Sequence, residues 1–225
     1  MFLGHYGVAL ASKRLAPKTS FGTLFFAAEF ADCLWPLFLL LQWEHVRIAP
    51  GITRITPFDF VDYPTSHSLL MDVLWAALFG GIYYAVRRYR AGAIVAALAV
   101  LSHWVLDWIS HRPDMPLTPW SQQKHGLGLW NSIWATLVVE LLLFFAGLWI
   151  YLRTTRTKDR VGSYALWAFV ILMLVLWLGA TFGPPPPDVG VLKWSAPSIW
   201  LVVVWAYWID RHREIRTAST RARIG

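Results

Sequence analysis

Six stretches of this chain are each apolar enough to be transmembrane, and that pattern leaves few folds open. They fall at about 20–42, 66–86, 91–110, 128–152, 163–182 and 195–210; the last is short but carries LVVVWAYW. Hydrocarbon offers no partner to a backbone N–H or C=O, so such segments must close their hydrogen bonds internally, as helices. With 57% hydrophobic and only 15% charged residues, the 225-residue chain reads as one integral membrane domain. The expected fold class is therefore all-α, a polytopic membrane helix bundle of six transmembrane helices plus a short N-terminal helix. GPPPP at 183–187 is a stiff connector between two hydrophobic segments. The lone cysteine, Cys33, excludes an intramolecular disulfide or a thiolate metal cluster and reads as a packing residue.

Lysine and arginine orient the spans. With the N-terminus in the cytoplasm, the inner side holds Lys13, Arg14, Lys18, Arg87, Arg88, Arg90, Arg153, Arg156, Lys158, Arg160 and the five arginines from Arg211 onward. The outer side holds Arg47, Arg54, Arg112, Lys124 and Lys193. Fifteen of the twenty lie inside, which predicts cytoplasmic N- and C-termini with 211–225 a basic cytoplasmic tail. The +7 net charge is spread over short loops, so it is topological and no nucleic-acid partner is expected. Fifteen tryptophans suit aromatic belts at the bilayer surfaces.

Ionisable residues inside apolar helices are costly, and here they recur. Counting about 1.5 Å per residue from the basic clusters puts Glu29 roughly 16 Å deep, Asp32 roughly 21 Å, His103, Glu140 and Asp72 roughly 20–22 Å, and Asp107 about 25 Å. His67 comes out near 30 Å, by the outer rim. Groups from four helices thus share one zone between mid-bilayer and the outer face. Spacings of three or four residues put Glu29 with Asp32, His103 with Asp107 and His111, and Ser68 with Asp72 on common helical faces. Met1 to Arg14 is too short to span, so the first helix either dips into the membrane, bringing His5 to the same zone, or lies along the surface with His5 exposed.

Imidazoles and carboxylates without thiolates suit Zn²⁺ or another divalent transition metal. Asp72 and Glu140 are either groups that orient histidines or interhelical hydrogen-bond partners. His111 and Asp114 stand where the third span breaks at HRPD, reaching back over the zone or forming an exposed turn. His125 and Asn131 sit at the entry to the fourth span, where Asn131 is also a natural helix start. The last two spans, within 160–210, have almost no intramembrane ionisable group and read as scaffold.

An early histidine (His5), an aspartate after the first hydrophobic stretch (Asp32), the triplet Ser66-His67-Ser68 and LSHWVLDW with Ser102-His103 and Asp107 together resemble a family of bacterial inner-membrane, metal-dependent hydrolases. That family is itself distantly similar to zinc-dependent phospholipase C. The resemblance covers about residues 1–131. It implies a helical fold in the inner membrane with a metal site in which Asp32, His67, His103 and Asp107 are ligands and His5 a further one. The phospholipases' later His-x-x-x-Glu pair has no counterpart, since Leu129 stands four residues after His125. One or two ions are accordingly expected.

The leading expectation is a membrane-embedded hydrolase acting from the outer side on a lipid or phosphoester, with Glu29 or Glu140 as base. A proton- or ion-coupled transporter is the main rival, although no inverted repeat and no Gly/Pro-broken helix pair is visible. A non-catalytic scaffold whose polar core glues helices is the third.

Overall fold

The computed structural model describes residues 1–216; most of the basic tail, 217–225, lies outside the described residues. Ten helices and three two-stranded ribbons make up these residues. In order they are α1 (Leu3–Leu15), α2 (Phe21–Ala28), α3 (Phe30–Leu40), β1 (His45–Ile48), β2 (Phe58–Asp62), α4 (Pro64–His67), α5 (Leu69–Arg87), α6 (Arg90–Ser110), β3 (Met115–Pro116) and β4 (Lys124–His125). After a 3-10 turn (Leu129–Asn131) come α7 (Ile133–Thr154), β5 (Thr155–Thr157), α8 (Arg160–Phe182), α9 (Val189–Ser195), a second 3-10 turn, α10 (Ile199–Arg211) and β6 (Arg213–Ile215). Each ribbon is antiparallel, pairing β1 with β2, β3 with β4, and β5 with β6. The protein is an all-α polytopic bundle: five helices are long and apolar enough to cross a membrane, and six if α2 and α3 count as one bent span.

Local chemistry explains where the helices begin. Ser20, Ser68, Ser132, Asp159 and Asp188 each accept a hydrogen bond from the amide three residues on, satisfying a donor that the first helical turn leaves free. Ser132 does this where Asn131 was the expected start. Gly128 adopts a left-handed conformation (φ 73°) and the 3-10 turn follows, so the fourth span starts at Ile133 and not near 128. The second span starts at Leu69 because His67 belongs to a separate single turn, and the sixth is extended backwards through α9.

Two features matter for the site. The first span is not continuous: the chain bends by 58° at Glu29, between α2 and α3. The other is α1, whose His5 is 1% exposed, which removes the surface-helix alternative. It packs against α7, α6 and α2, with Tyr6, Phe21, Phe25 and Phe169 in ring contact beneath it. Water is absent from a bilayer core, so helices there associate by close packing of small residues instead of by hydrophobic expulsion. Gly7 and Gly147 meet where α1 crosses α7, and a Cβ on Gly147 would collide with the Gly7 carbonyl.

Where α1 ends, Lys13 Nζ donates to Thr19 O and Asp210 Oδ1, both at 2.7 Å, and Asp210 also accepts the Phe21 amide. Residues 213–215, placed in the tail by sequence, instead pair with β5, and Arg213 lies over the Tyr151 ring while donating to Thr155 and Gly162. Outward-facing Leu74, Leu78, Ile82, Ile171, Val175, Leu201 and Val204 form the surface that meets lipid.

Gly147→Val overpacks the α1–α7 crossing and is expected to lower stability by about 1–3 kcal/mol, read as a depressed unfolding midpoint in detergent; an unchanged midpoint would contradict the close approach.

Candidate metal centre

Helix α6 carries one wall of the site. His103, Asp107 and His111, four residues apart, are all buried, the last as the residue that ends the helix. The break at Glu29 brings Asp32 on α3 opposite them, α4 supplies His67, and α1 supplies His5. His67 Nε2 lies 3.4 Å from Asp32 Oδ1 and 3.7 Å from Asp107 Oδ2. His103 Nε2 lies 3.8 Å and 3.3 Å from the same two oxygens. His111 Nε2 is 3.9 Å from Asp107 Oδ2, so the residue reaches back over the zone and is not in an exposed turn. The other Asp107 oxygen faces His5 Nε2 at 3.0 Å and accepts from the Met1 amino group. The His5 and His103 rings stack with centroids 3.9 Å apart. Two donor sets, His5 with His103 and Asp107, and Asp32 with His67 and His103, are compact enough to hold a metal ion.

The far side of each ring decides which nitrogen is free. His103 Nδ1 is 2.8 Å from the Ala28 carbonyl oxygen, which can only accept, so Nδ1 carries the hydrogen. His111 Nδ1 faces Asp114 Oδ1 at 3.0 Å and is likewise the donor. His67 Nδ1 is 2.6 Å from Ser66 Oγ, whose own hydrogen goes to Glu44 Oε2 at 2.6 Å, leaving the hydroxyl to accept. With Nδ1 committed in each ring, Nε2 is the nitrogen turned toward the carboxylates. His103 Nε2 has no hydrogen-bond partner among the described residues.

Several other residues have distinct placements. Glu140 Oε2 accepts the amides of Phe2 and Leu3 at 3.1 and 2.6 Å, and its Oε1 accepts from Trp130, so it anchors the start of α1. Glu29 is buried at the break and its Oε1 has no partner among the described residues. Ser68 caps α5 and also donates to Pro64 O at 2.6 Å. Asp72 is buried one turn further on and hydrogen-bonds no histidine. His125 sits in β4 opposite Met115, and Asn131 is exposed in the 3-10 turn; neither joins the cluster. Asp114 is buried, held by Tyr63 Oη at 2.9 Å and by Arg112, which also bonds Asp59 on the β1–β2 ribbon. Burial, and then the Asp114 carboxylate, push the Tyr63 hydroxyl well above its usual range, which keeps it a donor. Glu44 and Tyr63 were missed from sequence: both lie between α3 and α4, 23 and 48 residues before their histidines, with no helical spacing to reveal them.

A cavity of about 530 Å³ opens onto the cluster. Glu29, Asp32, His67, Asp107 and His111 line its inner end. Its mouth is made by Pro50, Gly51 and 53–58 around the β1–β2 connection, including the exposed Arg54, and by 183–186 of the proline connector. Trp177, Ala180, Thr181 and Ile199 also line it, so α8 and α10 contribute a wall and are not merely scaffold.

The architecture is thus that of a polytopic membrane protein with a buried histidine–aspartate cluster open to one cavity. Residues 4–185 match the model of the YdjM inner membrane protein, and the chain belongs to that inner-membrane family. Searches of curated proteins and of solved structures give no match.

Tyr63→Phe removes the hydroxyl that holds Asp114 and is expected to cost about 1.5–3 kcal/mol; thermal unfolding compared with wild type measures it, and no loss would mean that the Asp114 contact carries no stability.

Proposed function

We propose that the protein is a membrane-embedded, metal-dependent hydrolase whose site opens to the outer side and takes a lipid or phosphoester. The observation that carries this reading is the spacing around the cluster. Hydrogen bonds of N–H···O type run about 2.7–3.2 Å, whereas the four contacts of His67 and His103 with Asp32 and Asp107 are 3.3–3.8 Å. Zinc bonded to nitrogen and oxygen at about 2.0–2.1 Å in a tetrahedron separates its ligands by about 3.3–3.4 Å. Imidazole nitrogens and carboxylate oxygens that face one another at that spacing, in a largely buried site, fit a cation held between them.

The donors fit zinc or another borderline divalent ion. His67, His103, Asp32 and Asp107 would hold it, with His111 adjacent and His5 fixing the second Asp107 oxygen. Such an ion supplies Lewis-acid polarisation of a substrate oxygen. Glu29, with an unpartnered oxygen in the same cavity, is the group placed to take a proton from an attacking water. Glu140 has its oxygens committed to α1 and Trp130, so its contribution is to position His5. The mostly apolar cavity wall suits an acyl or prenyl chain, and Arg54 at the mouth suits an anionic headgroup. The lysine and arginine distribution supports a mouth on the outer side and both termini in the cytoplasm.

The break at Glu29 is the one feature that favours a transporter. Transporter folds with such breaks carry them in matching helices of two repeats, and the described residues hold a single one.

Purified protein is expected to retain about one zinc-class ion per chain, and His103→Ala to lose it, by metal analysis of the detergent-solubilised sample. Glu29→Gln is expected to keep the ion while slowing hydrolysis of vesicle phospholipid about 10²–10⁴-fold. Equal and negligible metal in wild type and His103→Ala would sink the proposal. Ion or proton flux in vesicles that ignores a chelator would favour the transporter.

A further inference from the structure

Glu44 is fully buried on the loop between α3 and β1, yet nothing in its own stretch, QWEHV, marks it as part of a site. Its Oε1 accepts the amides of Thr65 and Ser66, each at 2.8 Å, and its Oε2 accepts the Ser66 hydroxyl at 2.6 Å. The hydroxyl has one hydrogen. Once that hydrogen points at Glu44, Ser66 Oγ can meet His67 Nδ1 at 2.6 Å only as an acceptor. We propose that Glu44, acting through Ser66, is the positioning group that holds His67 with its hydrogen on Nδ1 and its Nε2 lone pair on Asp32 and Asp107.

The inference assigns a separate task to each member of the Ser66-His67-Ser68 triplet. Ser66 sets the ring, His67 presents Nε2, and Ser68 caps α5, which fixes the depth at which the ring enters the site. The competing explanation is that Glu44 simply caps the short helix α4 through the two amides. That accounts for Oε1 and leaves Oε2, the shorter contact, without a purpose. Outer groups that orient a metal-binding histidine in this way are worth about 10–100-fold in affinity. The consequence for metal rests on the proposed function; the ring's protonation pattern does not.

Glu44→Gln separates the two explanations because it keeps the size and one accepting oxygen. Its carboxamide N–H₂, placed toward Ser66, donates to the hydroxyl, which then turns its hydrogen to His67 Nδ1. The ring hydrogen is thereby moved to Nε2, where it blocks metal. Long-range ¹H–¹⁵N spectra of histidine-labelled, metal-free protein in micelles, with His67 identified by its loss in His67→Gln, read the pattern directly. Wild type is expected to show Nδ1–H and Glu44→Gln to show Nε2–H. Zinc affinity, by competition with a chromophoric chelator, is expected to fall about 10–100-fold in Glu44→Gln and in Ser66→Ala. The double variant should be no worse than either single change, since both break one relay. Persistence of Nδ1–H in Glu44→Gln, or multiplied losses in the double variant, would overturn the proposal. If Glu44→Gln does not fold, Ser66→Ala decides: its His67 should lose the Nδ1–H preference, and an unchanged ring would overturn the relay. A wild type that binds no zinc, with the Nδ1–H to Nε2–H switch still seen on going to Glu44→Gln, would refute the hydrolase and leave this inference standing.

Discussion

Two carboxylates, Asp107 fully buried and Asp32 partly open to the cavity, set the terms for the rest of the molecule. Desolvating a carboxylate is expensive unless positive charge or hydrogen bonds replace the water it loses. Asp107 is ringed by His5, His103 and His111 from two helices, and Asp32 by His67 and His103. Each of the three histidines His67, His103 and His111 is in turn locked from behind by an acceptor on a different segment: Ser66, the Ala28 carbonyl and Asp114. The cluster is therefore a junction where α1, α3, α4 and α6 are joined through their polar groups.

The architecture around the junction follows from that requirement. A continuous first span would carry the Ala28 carbonyl inside its own helix; the turn at Glu29 makes it available to His103 and swings Asp32 into place. α1 is too short to cross, but Glu140 takes its first amides and Gly147 lets it lie against α7, which carries His5 to Asp107. Outside, the β1–β2 ribbon is pinned through Asp59 and Arg112 to Asp114, so the loop that lines the cavity mouth is tied to the residue behind His111.

Much of this was legible in the sequence because hydropathy and helical spacing are local. Six apolar runs announce the bundle, and His103, Asp107 and His111 at four-residue intervals announce one face of α6. Depth from the basic clusters put Asp32, His67 and Asp107 in one zone, and His67 Nε2 lies 3.4 and 3.7 Å from the two carboxylates. What was not legible depends on backbone breaks and on distant loops. The bend at Glu29 has no Gly or Pro at the breaking point, so nothing in AAEFAD marks it. Glu44 and Tyr63 reach their histidines through tertiary folding of the segment between α3 and α4. The boundary errors have the same origin: His67 was read as the first turn of a span, when the chain pauses at Ser68 to aim it.

The central claim is that the lone pairs of His67 and His103 and the oxygens of Asp32 and Asp107 share one cation. An anomalous-difference map at the zinc absorption edge, from crystals of the protein purified without chelator, tests it most directly. The account predicts one strong peak within about 2.0–2.2 Å of both Nε2 atoms and of a carboxylate oxygen from each aspartate. Nε2 to oxygen contacts shortened to hydrogen bonds, with no peak between them, would contradict it.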